Sequence, residues 1–355
     1  MTEIKIAFVG FGNVARAFAR MVEARRGQLA AQYNLTWRTT AIATRRRGCV
    51  VARDDLDMIA AVECAESDGS LLSLPNASAV KSAVEMIEAC DADVLFETTP
   101  LEPESGAQAI DHIRRALSRR ISVVTANKGP LAFAYSKLSG LASARGVSFR
   151  FEGAVMDGAP VFNLVEHCLP AANVIGFSGV LNSTTNLILG GMEKGRAFAD
   201  CLAEAQTLGI AEANADFDID GWDAAVKAVA LANVLMGADA RPVDVKRTGI
   251  RGIGPGQLAD AAGAGNAIRL VARAERASST LALSVRPESV PLGSPLGCAG
   301  GTSNVLILQT DLMRELAVIE TEPRVEQTAY ALLSDWLRIH LDEKDGEHRR
   351  GAPQA

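Results

Sequence analysis

The chain has 355 residues, of which 48% are hydrophobic, and its formal net charge is −6. This length suits two domains, each with its own core, and the acidic balance argues against a nucleic-acid or anionic-membrane partner, which would need a clustered basic face. The six cysteines are scattered without a Cys-x-x-Cys pair, which predicts reduced thiols in the cytoplasm. The N-terminal residues continue directly into the first predicted strand, and no run approaches the roughly 20 apolar residues that span a bilayer, so we expect a protein that is neither secreted nor membrane-spanning.

The first half of the chain alternates predicted strands with predicted helices. Runs rich in β-branched and aromatic residues indicate strands, and apolar residues at helical spacing indicate helices. The predicted strands are 4–9, 39–44, 92–97 and 121–125, and the predicted helices are 14–23, 78–89, 104–118 and 134–145. This order is typical of a doubly wound parallel sheet of the α/β class. We therefore predict an N-terminal Rossmann dinucleotide-binding domain over residues 1–146.

The second half mixes the two patterns and predicts an α+β domain over residues 147–320. Its predicted strands are 147–151, 174–181, 279–285, 304–310 and 315–319, and its predicted helices are 184–194, 197–208, 221–237 and 254–263. An amphipathic stretch within residues 321–340 predicts a C-terminal helix that returns to the nucleotide domain. The polar, charged residues 341–355 are predicted to form a disordered tail.

A glycine turn follows the first predicted strand. Its sequence is Gly10-Phe11-Gly12-Asn13-Val14-Ala15. A helix follows the turn, and a second strand follows about 30 residues later, as a βαβ dinucleotide site requires. Gly10 permits the tight turn, Gly12 lets the backbone approach a pyrophosphate, and the helix N-terminus offers N–H groups to the phosphates. The alternative is a glycine turn that binds nothing, since Ala15 replaces the third glycine of the pattern.

A basic run, Arg45 to Arg47, follows the second predicted strand. NAD-preferring proteins usually place an acidic residue there, which holds the ribose 2′-hydroxyl. Arginine suits the 2′-phosphate of NADP, because its planar fork pairs with phosphate oxygens. We therefore predict that Arg45 and Arg46 favour NADP, with NAD as the alternative cofactor. A solvated basic loop is the alternative without a ligand.

Charged residues surround the start of one predicted helix in the second half. Asp223 and Lys227 are four residues apart, so both side chains face one side of the helix, in the favourable order of acid before base. Glu212 and Asp218 would complete a polar pocket, although spacing alone equally allows an exposed ion pair of little energetic weight. The run from Asp216 begins like a calcium loop, but Lys227 stands where that loop needs a bidentate glutamate, which argues against calcium.

Four separated segments resemble homoserine dehydrogenases over nearly the whole chain. They are Val124–Pro130, Glu152–Pro160, Gly179–Asn186 and the stretch from Gly209 to Lys227. The last of these matches the family pattern at each fixed position, namely Glu212, Asp218, Gly221, Asp223 and Lys227. The resemblance implies NAD(P)-linked interconversion of L-aspartate 4-semialdehyde and L-homoserine, within threonine and methionine biosynthesis. It also implies a short form without the C-terminal regulatory domain, so threonine feedback through such a domain is not expected.

The resemblance implies roles for individual residues. Lys227 would be the general acid/base, and Lys128 would lie between substrate and nicotinamide, where it assists proton transfer and offsets the developing negative charge. The substrate-binding residues would be Thr184, Glu212, Asp218 and Asp223. The cofactor-binding residues would be Gly10, Phe11, Gly12, Asn13, Val14, Arg45, Arg46, Thr98, Thr99 and Lys128. Residues 147–320 would form the substrate-binding, catalytic and dimerisation domain of a homodimer.

The resemblance further implies a structural monovalent cation, sodium, held mainly by backbone carbonyls. The carbonyls would be those of Glu152, Val155, Asp157 and Ala159. Because carbonyl ligands place no demand on residue type, the sequence itself carries little trace of such a site.

The chain departs from the family pattern in three places, and the most serious departure lies before the C-terminal helix. A glycine-rich loop expected near residue 322 is replaced by Glu320-Thr321-Glu322-Pro323-Arg324. Two glutamates there would repel a pyrophosphate, whereas Arg324 would attract it. Three hypotheses therefore stand: a homoserine dehydrogenase, a dehydrogenase of the same fold acting on another small hydroxy or amino-alcohol substrate, and a catalytically silent nucleotide-binding homologue.

Overall fold

The computed structural model describes residues 3–277 and 280–351. These residues fall into two units along the chain. The first unit contains residues up to 130, residues 134–158 and the chain from Arg324 onward; the second contains residues 131–133 and 159–323.

The first unit is built on a seven-stranded sheet. Its strands are β1 (Glu3–Val9), β2 (Thr36–Ala43), β3 (Cys49–Val51), β4 (Ser78–Val80), β5 (Val94–Glu97), β6 (Ser122–Thr125) and β7 (Phe149–Arg150). Its helices are α1 (Asn13–Ala24), α2 (Arg26–Tyr33), α3 (Met58–Glu66), α4 (Ala83–Ala89), α5 (Ala107–Ser118), α6 (Gly129–Arg145) and the C-terminal helix (Val325–Gly351). That last helix runs through most of the tail predicted to be disordered, whose residues 352–355 lie outside the described residues.

The sheet order is β4-β3-β2-β1-β5-β6-β7. From β2 to β7 the neighbouring strands pair in parallel, which confirms the predicted α/β Rossmann sheet. Because β1 has β2 on one side and β5 on the other, the strand order reverses at β1, and ligands bind at the carboxyl ends beside such a reversal. β7 pairs with β6 in this sheet, although the sequence predicts its residues in the second domain.

β3 and β4 extend the sheet by an antiparallel edge that the sequence pattern does not predict. Ser78–Val80 forms β4, so the predicted helix over 78–89 is wrong in its first part. The helix begins instead at Ala83, where the Ser82 hydroxyl accepts a hydrogen bond from the backbone N–H of Glu85 at 3.1 Å. Such an N-cap satisfies an N–H group that has no partner inside the helix.

Aromatic side chains form the centre of the first unit's core. Phe8 on β1 stacks on Phe96 of β5 with ring centroids 5.0 Å apart, and Trp336 of the C-terminal helix meets Phe96 edge-on at 5.8 Å. All three side chains are fully buried. Large aromatic groups bury much apolar surface, so this cluster secures the C-terminal helix against the sheet and holds β1 and β5 rigidly side by side.

The second unit contains a six-stranded sheet with the order β13-β12-β8-β10-β11-β9. Its strands are β8 (Val174–Val180), β9 (Lys246–Arg247), β10 (Asn266–Ala277), β11 (Thr280–Pro291), β12 (Asn304–Thr310) and β13 (Arg314–Glu320). Its helices are α7 (Val161–Cys168), α8 (Ser183–Glu193), α9 (Phe198–Thr207), α10 (Asp216–Ile219), α11 (Trp222–Leu235) and α12 (Pro255–Gly263). The mixture confirms the α+β prediction, while β10 was not predicted and residue 279 of the predicted strand 279–285 lies outside the described residues.

Membrane crossing was not expected from the composition. Within residues 3–277 and 280–351, no helix has both the length and the apolar character that a bilayer span requires.

Candidate active site

Gly10, the first residue of the dinucleotide turn, is packed tightly against neighbouring backbone. This residue has φ +84°, and a Cβ atom added to it would lie 2.7 Å from the carbonyl carbon and oxygen of Thr98. Its N–H donates to the Ala43 carbonyl at 2.9 Å, and its own carbonyl accepts a hydrogen bond from the Thr98 hydroxyl at 2.9 Å. Only glycine fits both the backbone angle and the contact. The turn therefore joins the ends of β1, β2 and β5.

The next glycine leaves the start of α1 open. Gly12 is the N-cap residue of α1, and no atom lies within 4 Å of the position that a Cβ would occupy. Asn13 is exposed at the first helical position, while Phe11 and Val14 pack into the core and anchor the turn. The first N–H groups of a helix have no intrahelical acceptor and attract anions. The turn thus presents open backbone donors, as a bound pyrophosphate would require.

The basic run lies in the tight turn after β2. The Thr44 hydroxyl accepts a hydrogen bond from the Arg47 N–H at 2.8 Å, and the Arg47 guanidinium donates to Asp68 at 2.6 Å. Arg45 and Arg46 between them are exposed. Two of the three arginines are therefore on the surface, at the strand end where a ribose 2′-substituent binds in Rossmann domains.

A buried carboxyl group ends β5. Glu97 is fully buried, and it accepts hydrogen bonds from the Thr99 N–H at 3.2 Å, from the Thr99 hydroxyl and from the Thr125 hydroxyl at 3.0 Å. The Asn127 N–H donates to the Thr125 hydroxyl at 3.0 Å, and the Asn127 side chain donates to the Thr99 carbonyl at 3.0 Å. Lys128 follows directly as the N-cap residue of α6. Glu97 is not among the site residues predicted from the sequence, although an acidic residue at the end of a buried apolar strand is a signal visible in the sequence.

The predicted substrate-binding residues of the second unit come together around Asn182. This residue donates to Asp218 at 2.7 Å and to Asp223 at 3.0 Å, while the Thr184 hydroxyl donates to Asp218 at 3.1 Å. Lys227 Nζ lies 3.5 Å from Asp223 Oδ2. We call these five residues the acid–lysine cluster. It is a largely buried group rather than an exposed helical ion pair, since the side chains of Asp223 and Lys227 are only 10% and 14% exposed.

Two helix starts position this cluster. Asn182 is the N-cap residue of α8, where its side chain accepts a hydrogen bond from the Thr185 N–H at 2.8 Å. Asp223 lies in the first turn of α11, which begins after Gly221 at φ +80°. Lys227 lies one turn later and donates to the Leu181 carbonyl at 2.6 Å. Asn182 is not among the site residues predicted from the sequence, although it lies inside the segment Gly179–Asn186 that resembles the family.

The carboxylates of the cluster repel each other. Burial, and next the charge of Asp223, raise the pKa of the Asp218 carboxyl above its ordinary value, while hydrogen bonds from Asn182 and Thr184 and the charge of Lys227 act in the opposite direction. Placing a buried acid, Asp223, and a partly buried one, Asp218, beside a single amine is unfavourable for folding, so a second cation is accommodated there at a gain. An ammonium group is such a cation.

Glu212 lies two residues after Ile210, whose carbonyl accepts a hydrogen bond from the Thr184 hydroxyl of the cluster at 3.3 Å. Glu212 itself is exposed in the loop before α10, and its carbonyl accepts a hydrogen bond from the Gln206 side chain at 3.2 Å. In the described part of the chain, no hydrogen bond joins the Glu212 carboxylate to the acid–lysine cluster. Its role in binding the substrate therefore stays a prediction.

The residues expected to hold a cation lie after β7. Glu152 begins a single 3-10 turn, and its N–H donates to Asp335 at 2.8 Å. Asp157 has φ +38°, and its carboxylate accepts a hydrogen bond from the Thr328 hydroxyl at 2.9 Å. No group of three or more His, Cys, Asp or Glu side chains with metal-binding geometry occurs among the described residues. A cation here would depend on backbone carbonyls.

The segment that departs from the family pattern follows β13. Glu322 has φ +44°, a conformation that glycine adopts without strain, and its N–H donates to the Ser303 hydroxyl at 3.2 Å. The backbone therefore keeps a glycine-like turn at this position even though the residue is a glutamate.

Comparisons with known proteins agree along both units. The family model "Homoserine dehydrogenase, NAD binding domain" matches residues 10–152, and the model "Homoserine dehydrogenase" matches residues 160–337. The homoserine dehydrogenase of Methanocaldococcus jannaschii is 37% identical over 340 residues, which cover 96% of this chain and 99% of that protein. The NAD(+)-dependent homoserine dehydrogenase of Pseudomonas canavaninivorans is 34% identical over 341 residues, with coverage of 96% and 97%.

Solved structures agree as well. A putative homoserine dehydrogenase from Archaeoglobus fulgidus superposes with a TM-score of 0.85 and 33% identity, and the match covers 95% of this chain and 99% of that one. A hyperthermophilic archaeal homoserine dehydrogenase in complex with NADPH gives a TM-score of 0.81 and 28% identity, with coverage of 96% and 98%.

Proposed function

Because this chain belongs to the homoserine dehydrogenase family, whose members are NAD(P)-dependent oxidoreductases acting on a CH–OH group, we propose that it interconverts L-homoserine and L-aspartate 4-semialdehyde. The observation that carries the proposal is the acid–lysine cluster, in which Asp218, Asp223 and Lys227 are assembled by hydrogen bonds within the region matched by the family model. The hypothesis of a catalytically silent homologue does not account for the presence of these acid/base residues.

The cluster supplies the two groups that such a substrate needs. Asp218 and Asp223 attract the substrate ammonium group, and Glu212 is proposed to join them. Lys227 takes a proton from the hydroxyl during oxidation and returns one to the carbonyl oxygen during reduction. Its contacts with the Leu181 carbonyl and with Asp223 orient Nζ for this task. Lys128 is proposed to offset negative charge on the reacting oxygen.

The dinucleotide turn is proposed to hold the cofactor. The nicotinamide, when bound, accepts or donates the hydride. Gly10 and Gly12 fit a pyrophosphate, because a Cβ at the first would meet Thr98 and the second leaves the backbone open. Arg45 and Arg46 are proposed to favour NADP through its 2′-phosphate. NAD remains the alternative, since one relative is named NAD(+)-dependent and another was solved with NADPH.

Three further properties belong to this proposal. We infer a homodimer built through the second unit, and a cytoplasmic location that agrees with six cysteines free of disulfide bonds. We also propose a sodium ion on the carbonyls of Glu152, Val155, Asp157 and Ala159. The irregular backbone after β7, with its single 3-10 turn, supports that site. The Ala159 carbonyl accepts a hydrogen bond from the Val161 N–H at 2.8 Å, and a carbonyl oxygen has a second lone pair that a cation can use.

The test is oxidation of L-homoserine by the purified protein, with NADP or NAD at alkaline pH, followed by the absorbance of the reduced nicotinamide. We expect turnover with at least one cofactor. A panel of small hydroxy acids and amino alcohols, assayed alongside, tests the alternative of a related dehydrogenase. Cofactor binding without turnover of any member of the panel would favour the silent homologue and overturn the proposal.

A further inference from the structure

The buried carboxyl group at the end of β5 has no part in the proposed chemistry, yet it is fully enclosed. The strand residues before Glu97 are apolar, namely Val94, Leu95 and Phe96. Burying a carboxyl group in such surroundings is unfavourable unless hydrogen bonds compensate, and an apolar residue would serve packing equally well. A purely structural role does not explain why a glutamate occupies this position.

The hydrogen bonds around Glu97 form a closed ring of four residues. Glu97 accepts from Thr99 and from Thr125, Thr125 accepts from the Asn127 N–H, and the Asn127 side chain returns to the Thr99 carbonyl. The ring joins the end of β5 to the end of β6. Since each hydroxyl and amide has a defined partner, the two strand ends are held in one relative position.

The residues directly before and after the proposed catalytic lysine, Asn127 and Gly129, are both hydrogen-bonded through the ring. Asn127 precedes Lys128, and the Asn127 side-chain oxygen accepts a hydrogen bond from the Gly129 N–H at 2.9 Å. The same amide group donates to the Pro100 carbonyl at 3.3 Å. Lys128 therefore starts α6 from a segment whose neighbours are tied to the ring.

A histidine closes the far side of this arrangement. His112 of α5 is 3% exposed, and its Nδ1 lies 3.8 Å from Glu97 Oε1. This nitrogen has no hydrogen-bond partner among the residues that the structure describes. The imidazole thus packs beside the fully buried carboxyl group of Glu97. The hydrogen bonds to this carboxyl group come from Thr99 and Thr125.

We propose that Glu97 is a positioning residue for the dehydrogenase reaction, acting through Thr125 and Asn127 on the placement of Lys128. The inference rests on the proposed function of Lys128 in offsetting charge on the reacting oxygen. Glu97 itself touches neither substrate nor cofactor in this assignment. Its effect is therefore expected in the rate of the chemical step rather than in binding.

The sharpest variant breaks the ring without removing the carboxyl group. Thr125→Val has the same shape and β-branching as threonine and lacks the hydroxyl, whereas Thr125→Ser keeps the hydroxyl. Thr40→Val is the matched control, since Thr40 is a buried threonine on β2 of the same sheet. Glu97→Gln is a second probe, expected to lower kcat as Thr125→Val does. If its amide oxygen keeps the two bonds from Thr99, its NH2 group takes the position of Oε2 and cannot accept a hydrogen bond from the Thr125 hydroxyl.

We expect Thr125→Val to lower kcat for homoserine oxidation about tenfold, equal to about 1.4 kcal/mol, with KM for homoserine and Kd for NADPH within about twofold. Thr125→Ser should restore kcat to within about twofold of the unaltered protein, and Thr40→Val should leave it there. An unchanged kcat in Thr125→Val, or equal losses in the Ser and Val variants, would overturn the proposal.

A readout that does not depend on turnover separates this inference from the proposed function. The acetylation rate of Lys128 by acetic anhydride is measured by peptide mass spectrometry, relative to that of Lys137, which is exposed on α6. A changed ratio in Thr125→Val that returns in Thr125→Ser supports the ring even if the unaltered protein oxidises no homoserine. That inactivity would overturn only the proposed function, whereas an unchanged ratio in both variants would overturn the ring.

Discussion

Lys227 and Asp223 lie one turn apart on α11, with Lys227 Nζ 3.5 Å from Asp223 Oδ2. The distance is longer than that of a direct hydrogen bond, while the lysine donates to the Leu181 carbonyl at 2.6 Å. The carboxylate therefore stabilises the amine through its charge, while its Oδ2 also accepts a hydrogen bond from Asn182 at 3.0 Å. This arrangement is what an ammonium-bearing substrate with a nearby acid/base group needs.

Replacing the proposed acid/base should abolish turnover and leave cofactor binding intact. Lys227→Met keeps the aliphatic stem and removes the amine, so kcat should fall by about 10² to 10⁴. Titration with NADPH should give a Kd within about twofold of the unaltered protein, because the dinucleotide turn is in the other unit. The exposed Lys246 provides the control variant Lys246→Met. Turnover that survives Lys227→Met would refute the assigned role.

Replacing Asp218 should stabilise the folded protein and weaken substrate binding. Its pKa is raised chiefly by burial, so the folded state holds its proton more tightly than the unfolded chain does. The stabilisation from protonation is complete below the unfolded pKa and is lost as the pH rises through the raised folded pKa. Asp218→Asn removes the charge but can keep both hydrogen bonds, since the new amide still accepts from Asn182 and can donate to the Thr184 hydroxyl.

We expect Asp218→Asn to raise Tm by about 2 °C at roughly pH 8 and to lose this advantage as the pH falls through the Asp218 pKa. KM for homoserine should increase about tenfold, because one carboxylate that attracts the ammonium group is gone. Thermal unfolding across pH and steady-state kinetics measure the two effects, with the exposed Asp239→Asn as the control. A variant less stable than the unaltered protein at alkaline pH contradicts the argument.

The basic turn after β2 should determine cofactor preference. Arg45→Ala and Arg46→Ala, singly or together, are expected to weaken NADP about tenfold relative to NAD, because a guanidinium paired with the 2′-phosphate is lost. The ratio of kcat/KM for the two cofactors is the measurement. Arg53→Ala, at an exposed arginine farther along the chain, serves as the control. An unchanged ratio in both single variants and the double variant would show that the run is only a solvated loop.

The glutamate in the glycine-like turn should carry backbone strain. Glu322 has φ +44°, a conformation that costs an L residue about 1–2 kcal/mol, whereas glycine adopts it freely at a smaller cost in chain entropy. Glu322→Gly should therefore raise Tm, and Glu322→Ala, which keeps the strain, should not.

Cofactor affinity separates strain from charge at the same position. If the segment adjoins the cofactor, as the family resemblance implies, both Glu322→Gly and Glu322→Ala should tighten NADPH binding, because a repulsive charge is removed. Titration by nicotinamide fluorescence measures Kd. An affinity unchanged in both variants would indicate that this segment lies away from the phosphates.

Sequence patterns predict the central strands of the first sheet better than its antiparallel edge. β5 is fully buried and β1 is buried except near its start, so each contains an apolar run that is visible in the sequence. The three residues of β4 are too few for a period to be visible, so Ser78–Val80 merged with the helix that follows. An antiparallel edge strand is determined by its partner across the sheet, which a single stretch of sequence does not show.

The residues of the candidate site also differ in how well the sequence predicts their roles. Spacing alone places Asp223 and Lys227 on one side of a helix, and the structure puts them together. The parts played by Asn182 and Glu97 depend on hydrogen bonds to residues distant in the chain, which no local pattern encodes. Glu212 shows the converse, because it matches the family pattern while its side chain is exposed in a loop.

The contact between Gly10 and Thr98 has a consequence for changing the cofactor by design. Because a side chain at residue 10 would collide with main-chain atoms of Thr98 and Thr99, directly after β5, no single replacement there is absorbed by moving a side chain. The two strand ends would have to separate together, so libraries aimed at cofactor exchange gain nothing from varying this turn. The exposed arginines at 45 and 46 can be varied without disturbing the core, and cofactor exchange by design should begin there.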